Sequence, residues 1–104
     1  MLAVTIDNLP GFEIKHVIGE VIGMAVRSQN PFVEGIRRVS GEPNSKMPEI
    51  LRRWRTQAIS HMVEQAYERG ANAVVGVRFD QRVIGSFTEI CAYGTAVFIV
   101  PGQP

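Results

Sequence analysis

The chain has a single cysteine, Cys91, in 104 residues, which excludes an internal disulfide framework and any all-cysteine metal cage built within one copy. It has almost no net charge. Eleven basic against ten acidic residues leave +1, without the bias of a nucleic-acid wrapper or an acidic tail. No run approaches the ~18 apolar residues of a membrane-spanning helix. The opening Met1-Leu-Ala-Val-Thr-Ile-Asp-Asn lacks the basic and apolar regions of a signal peptide, so the expectation is a cytoplasmic protein without membrane partners. Catalytic signatures are absent too: there is no G-x-S-x-G, P-loop, G-x-G-x-x-G, C-x-x-C or H-E-x-x-H. What remains fits one domain over residues 1–104, with a core from about 13 to 100 and peripheral termini at 1–12 and 101–104. A chain of this size buries roughly 65% of its unfolded surface.

The elements follow from periodicity. From Glu13 to Val26 the β-branched residues Val17, Ile18, Val21, Ile22 and Val26 predict a strand, which Gly19 and Gly23 interrupt as a bulge or a break would. Asn30-Pro31 reads as a helix start, with a short helix over 32–39 and a turn-rich loop over 40–45. The strongest signal is a long helix between Ser45 and Gly70, in which Met47, Ile50, Leu51, Trp54, Ala58, Met62 and Ala66 form one apolar stripe. Two further strands, 73–84 and 87–100, meet at a two-residue turn, Gly85-Ser86. Pairing about that turn places Arg82 opposite Glu89, Asp80 opposite Cys91 and Arg78 opposite Tyr93. The order β-α-β-β, with a short extra helix, predicts an α+β fold in which one long helix packs on a small, mainly antiparallel sheet.

One helix covers one face of such a sheet. The other face carries Arg78, Asp80, Arg82, Glu89, Cys91, Tyr93, Thr95, Val97 and Ile99, too apolar at its end to be left in water. A homo-oligomer is the economical expectation; the alternative is a monomer whose N-terminal residues fold back over the sheet edge.

Chemical candidates are few. His16, Glu20 and Cys91 are the residues that a metal would use, although neither histidine has a local ligand spacing with Cys91. A Cys91 thiolate paired with His16 or His61 has the right residue types and no signature. Arg52-Arg53-x-Arg55 lacks interleaved aromatics for nucleic acid, because Trp54 belongs to the apolar stripe. Arg55 projects into that stripe, so it is expected to bond a carbonyl or carboxylate, within the chain or across a subunit boundary. Arg78, Asp80, Tyr93 and Cys91 could also line a pocket between subunits.

Asn30-Pro31-Phe32, Gly35-Ile36-Arg37, Leu51-Arg52-x-x-Arg55-x-x-Ala58, Gly70-Ala-Asn-Ala-Val-Val-Gly76 and Gly94-Thr-Ala-Val97 together resemble the YbjQ-type family of small bacterial and archaeal proteins, which carry a heavy-metal-binding label. The resemblance covers about Glu13 to Val100. It implies a β-α-β-β subunit closing into a ring, typically a pentamer and sometimes two rings face to face, with no established enzymatic activity; no cofactor is identified in the sequence beyond a metal ion that the family label suggests. Where members of that family often carry acidic residues, this chain has Met24, Arg38, Thr56, Asn72 and Arg78. Hard cations need several carboxylate oxygens, so these departures weaken a shared metal site. The expectation is therefore a non-enzymatic ring protein. The alternatives are metal binding through a site shared between subunits, or a small-ligand pocket between them.

Overall fold

The structure, a computed structural model, describes residues 1–28 and 47–102. The predicted short helix over 32–39 lies outside the described residues. Within them the order is β1 (Leu2–Ala3), β2 (Phe12–Ser28), α1 (Met47–Glu68), β3 (Ala73–Ile84) and β4 (Phe87–Pro101). The strands form one mixed sheet in the order β1-β3-β4-β2, parallel only where β1 joins β3. Helix α1 lies on one face. This is the expected α+β arrangement.

The helix ends as its sequence dictates. Gly70 adopts φ +88°, Ala71 N–H donates to Ala66 O at 3.0 Å, and Gly70 N–H donates to Tyr67 O at 3.0 Å. This pair of bonds satisfies two carbonyls of the last turn and turns the chain into β3. Ala58, Met62 and Ala66 are fully buried against Val21, Ala25, Val74, Val77, Ile90, Ala92 and Ala96, whereas Leu51 and Trp54 nearer the helix start are only partly covered. The packing is close because Gly23 has no side chain: a Cβ there would lie 2.9 Å from Met62 Cα and deep inside contact distance of Ala58 O.

The hairpin register is the one expected. Arg78 pairs with Tyr93, Asp80 with Cys91 and Arg82 with Glu89, whose side chains make a 3.6 Å ion pair. Gly85, with φ +57°, supplies the left-handed position of the tight turn. Strand β2 is continuous, with irregularities between Ile14 and His16 and between Val17 and Gly19. Gly19, at φ +139°, is the glycine that serves the bulge, and Gly23 serves the helix contact.

The N-terminus departs from the reading of residues 1–12 as a peripheral lead-in. Leu2 and Ala3 pair with Ala73 and Val74, after which Val77 N–H donates to Val4 O and Gly76 N–H to Ile6 O. The segment then crosses to the face away from the helix. There Leu9 and Val4 join Ala73, Val75, Val97, Ile99 and Ile14 in a second small core. Val97 and Ile99, expected to need a neighbouring subunit, are thus covered by the chain's own N-terminus, at 1% and 8% exposure. A two-residue strand has no alternation for the sequence to display, and this one is held by backbone bonds and a single buried leucine.

Asn72 and Arg78 have structural roles. The Asn72 amide donates to Ile99 O at 2.9 Å and accepts from Ile99 N–H at 2.7 Å, extending the β3–β4 ladder; a carboxylate could only accept. Arg78 Nη1 donates to Thr5 O at 2.8 Å and to Val77 O at 2.8 Å, which fastens the N-terminal segment to β3.

Candidate functional site

Pleating sorts the remaining side chains. Along β4 the even positions 88 to 96 are buried toward the helix and the odd ones from 89 to 95 are half-buried on the opposite face. That open face carries three cross-strand rows: Ile22–Tyr93–Arg78, Met24–Cys91–Asp80 and Val26–Glu89–Arg82. The β2 column is apolar and exposed, with Ile22 at 42%, Met24 at 42% and Val26 at 50%. The β3 column is charged and alternates in sign. The second core ends before these rows begin, and the N-terminal segment touches them at Arg78, which donates to Thr5 O.

Cys91 sits at the centre of this face, between Met24 and Asp80. Partial burial pushes its thiol above the usual range, and the carboxylates of Asp80, Glu89 and Glu20 push it the same way. A protonated thiol is a poor nucleophile and a poor soft-metal ligand. Glu20 shares the open face but pairs with Thr95, two rows beyond Met24–Cys91. His16 lies elsewhere: it pairs with Phe98 on the helix side, its ring 6.4 Å from the phenyl ring. The sequence candidates His16, Glu20 and Cys91 are therefore not brought together within one chain, and no three His, Cys, Asp or Glu side chains among the described residues form a metal-holding group.

Arg55 is exposed and makes a contact of a different kind from the one its position suggested. Its guanidinium lies 5.3 Å above the centre of the Phe79 ring, a cation–π contact on the helix side of β3. Tyr93 is half-buried beside Arg78 on the open face.

Three polar residues of α1 perform a task not assigned from the sequence. His61, Gln65 and Arg69 recur at intervals of four and face the free edge of β2. His61 Nδ1 lies 2.7 Å from Met24 O, a contact in which only a ring N–H can donate. Gln65 Oε1 accepts from Ile22 N–H at 2.8 Å, and Arg69 donates to Glu20 O at 2.7 Å and Ile18 O at 3.2 Å. Four helical residues rise about 6 Å and two strand residues about 6.7 Å, so the two periods stay in step for these contacts. The helix thereby satisfies outward backbone groups of β2 and closes that edge to further strands. The i+4 spacing was visible in the sequence; its meaning required the docking angle of the helix.

A family model described as "Putative heavy-metal-binding" matches residues 1–100. The chain belongs to the YbjQ family. A UPF0145 protein of Acidothermus cellulolyticus is 44% identical over 100 residues, covering 92% of this chain and 93% of its own. An archaeal UPF0145 protein, from Saccharolobus islandicus, is 39% identical over 93% of this chain and 89% of its own. Among solved structures, a protein of unknown function of the DUF74 family from Pediococcus pentosaceus superposes with a TM-score of 0.69 at 16% identity, over 96% of this chain and 98% of its own. That likeness shows a shared fold. Among the described residues of this YbjQ-family chain, the donors of a single copy do not fit the metal named in the family description: one protonated thiol, two separated histidines and scattered carboxylates make no closed site. No helix among the described residues is long and apolar enough to cross a membrane.

Proposed function

We propose that the protein is a non-enzymatic subunit of a ring-forming homo-oligomer, a pentamer or a pair of pentamers, in which the open face of Ile22, Met24, Val26, Cys91 and Tyr93 is closed by a neighbouring copy. The observation that carries this reading is a row of half-exposed apolar side chains running along an extended sheet. The subunit measures 59 × 24 × 15 Å, with a radius of gyration of 17.3 Å. A compact chain of this length has about 13 Å. Such a shape leaves surface that a self-sufficient monomer would bury. The charged column of Arg78, Asp80 and Arg82 flanks the apolar one as a polar rim flanks a contact surface.

A metal ion in such an assembly would have to be shared: each copy offers Cys91 with Asp80 beside it, and the remaining ligands would come from other copies. Gathering several Cys91–Asp80 pairs would also deprotonate the thiol only in the presence of the cation.

The contact surface is testable through Cys91 itself. A small neutral thiol reagent should label Cys91 many times more slowly in the native protein than in the Ile22→Asp variant, in which the face is opened. Because the thiol is held above its usual pKa, labelling of the opened variant should rise only at more alkaline pH than for a free cysteine. Equal rates in the two proteins would show the face is not covered.

A further inference from the structure

The sheet has two long edges, and they are treated differently. The β2 edge is closed by His61, Gln65 and Arg69. The β3 edge is closed only in its first part, where Leu2 and Ala3 pair with Ala73 and Val74 and residues 4–6 bond Gly76 and Val77. From Arg78 to the hairpin turn, no described segment pairs with the outer side of β3. A strand edge of this length is a template for another strand. Residues 78–84 hold no proline, and the irregularity in β3 lies before them, between Val75 and Arg78; what guards this edge is charge alone, from Arg78, Asp80 and Arg82.

The sequence of this edge is complementary to itself. We propose that residues 78–84 of β3 pair antiparallel with the same segment of a second copy, in a register centred on Gln81. That register follows from the available length, since Gln81 is the midpoint between the end of the N-terminal cover and the Gly85-Ser86 turn. In it Asp80 stands opposite Arg82 of the second copy, and Arg82 opposite the second copy's Asp80, so both charge pairs are attractive. Asp80 and Arg82 are exposed, and Arg82, with its side chain at 67%, would share its guanidinium between Glu89 of its own chain and the second copy. On the helix face Phe79 stands opposite Val83 of the second copy, which covers a valine left 61% exposed. Gln81 meets its own copy, where two amides can donate and accept reciprocally.

Other registers fail on the same evidence. Centring on Asp80 opposes Asp80 to itself and Arg78 to Arg82, all like charges. Centring on Phe79 pushes the partner strand onto Gly76 and Val77, whose outward groups the N-terminal segment already occupies. The contact is two-fold and uses the sheet edge, so it goes beyond the ring contact of the open face: it joins two subunits of different rings and commits the assembly to an even number of copies.

Charge reversal with rescue tests the pairing. Asp80→Arg alone and Arg82→Asp alone each place like charges opposite one another and should halve the solution mass, with the subunit's circular dichroism unchanged. The double variant D80R/R82D restores two attractive pairs and should regain the full mass. In a Cys91→Ala background, Gln81→Cys should form a disulfide-linked dimer under mild oxidation, and Val83→Cys, which faces Phe79 rather than itself, should not. A double variant as small as the single ones, or cross-linking that is equal at 81 and 83, would overturn the proposal. A native mass of five subunits would overturn the edge pairing and leave the ring standing. Retained Gln81→Cys cross-linking in Ile22→Asp, with the mass of a dimer, would separate the two contacts.

Discussion

Replacing Gly23 with alanine should lower the stability of the fold by about 3 kcal/mol or more, the upper part of the range for overpacked cores. The added methyl would be driven into Ala58 O and the backbone of Met62, with Met62 Cα only 2.9 Å away. Backbone atoms in mid-helix cannot step aside as a flexible side chain can. The whole helix would have to lift from β2, and with it the fully buried Met62 and Ala66 would lose their packing. The lift would also stretch the bonds from His61, Gln65 and Arg69 to the β2 edge, since they depend on the same approach. Thermal unfolding should shift down by about 10 °C or more for a domain of this size. An unchanged midpoint would show that the helix does not approach the strand this closely.

The second large effect concerns assembly rather than folding. Ile22→Asp places a carboxylate in the middle of the open apolar column, at a side chain that is 42% exposed in the single chain. The folded subunit loses little, because the side chain lies outside both cores and the Ile22 backbone bond to Gln65 is untouched. A covered face, in contrast, would have to desolvate one unpaired charge in every copy, which costs several kcal/mol per contact. Light scattering should therefore find the ring broken at protein concentrations where the native protein is fully assembled, while circular dichroism stays native. Retention of the native mass would remove Ile22 from the contact surface.

Much of this architecture was legible in the residues. The α1 stripe, its glycine stop and the β3–β4 register could be read directly, because each is written in local periodicity or in a turn whose geometry needs a particular residue. The fold-back of the N-terminal residues over the sheet edge stood only as the alternative reading, since a strand of two residues and a lone buried leucine leave no pattern. The glycines of β2 were seen as interruptions, but only the packed structure separates Gly19, which serves a bulge, from Gly23, which admits the helix. The role of His61, Gln65 and Arg69 could not be read, because side chains that bond to a strand edge have the same composition as side chains that bond to water. At the candidate site, the grouping of Arg78, Asp80, Cys91 and Tyr93 followed from register alone. His16, Glu20 and Cys91 are not brought together within one chain, because the irregularity between Val17 and Gly19 turns His16 to the other face. Arg55 was expected to bond a carbonyl or carboxylate, whereas its contact is with the Phe79 ring, which no charge pattern announces.

The account stands on the claim that this chain is a subunit, and its mass in solution tests that claim most directly. Size-exclusion chromatography coupled to light scattering should return a multiple of five times the 11.5 kDa chain, and ten copies where the β3 edges pair. A single species of 11.5 kDa at all accessible concentrations would contradict it.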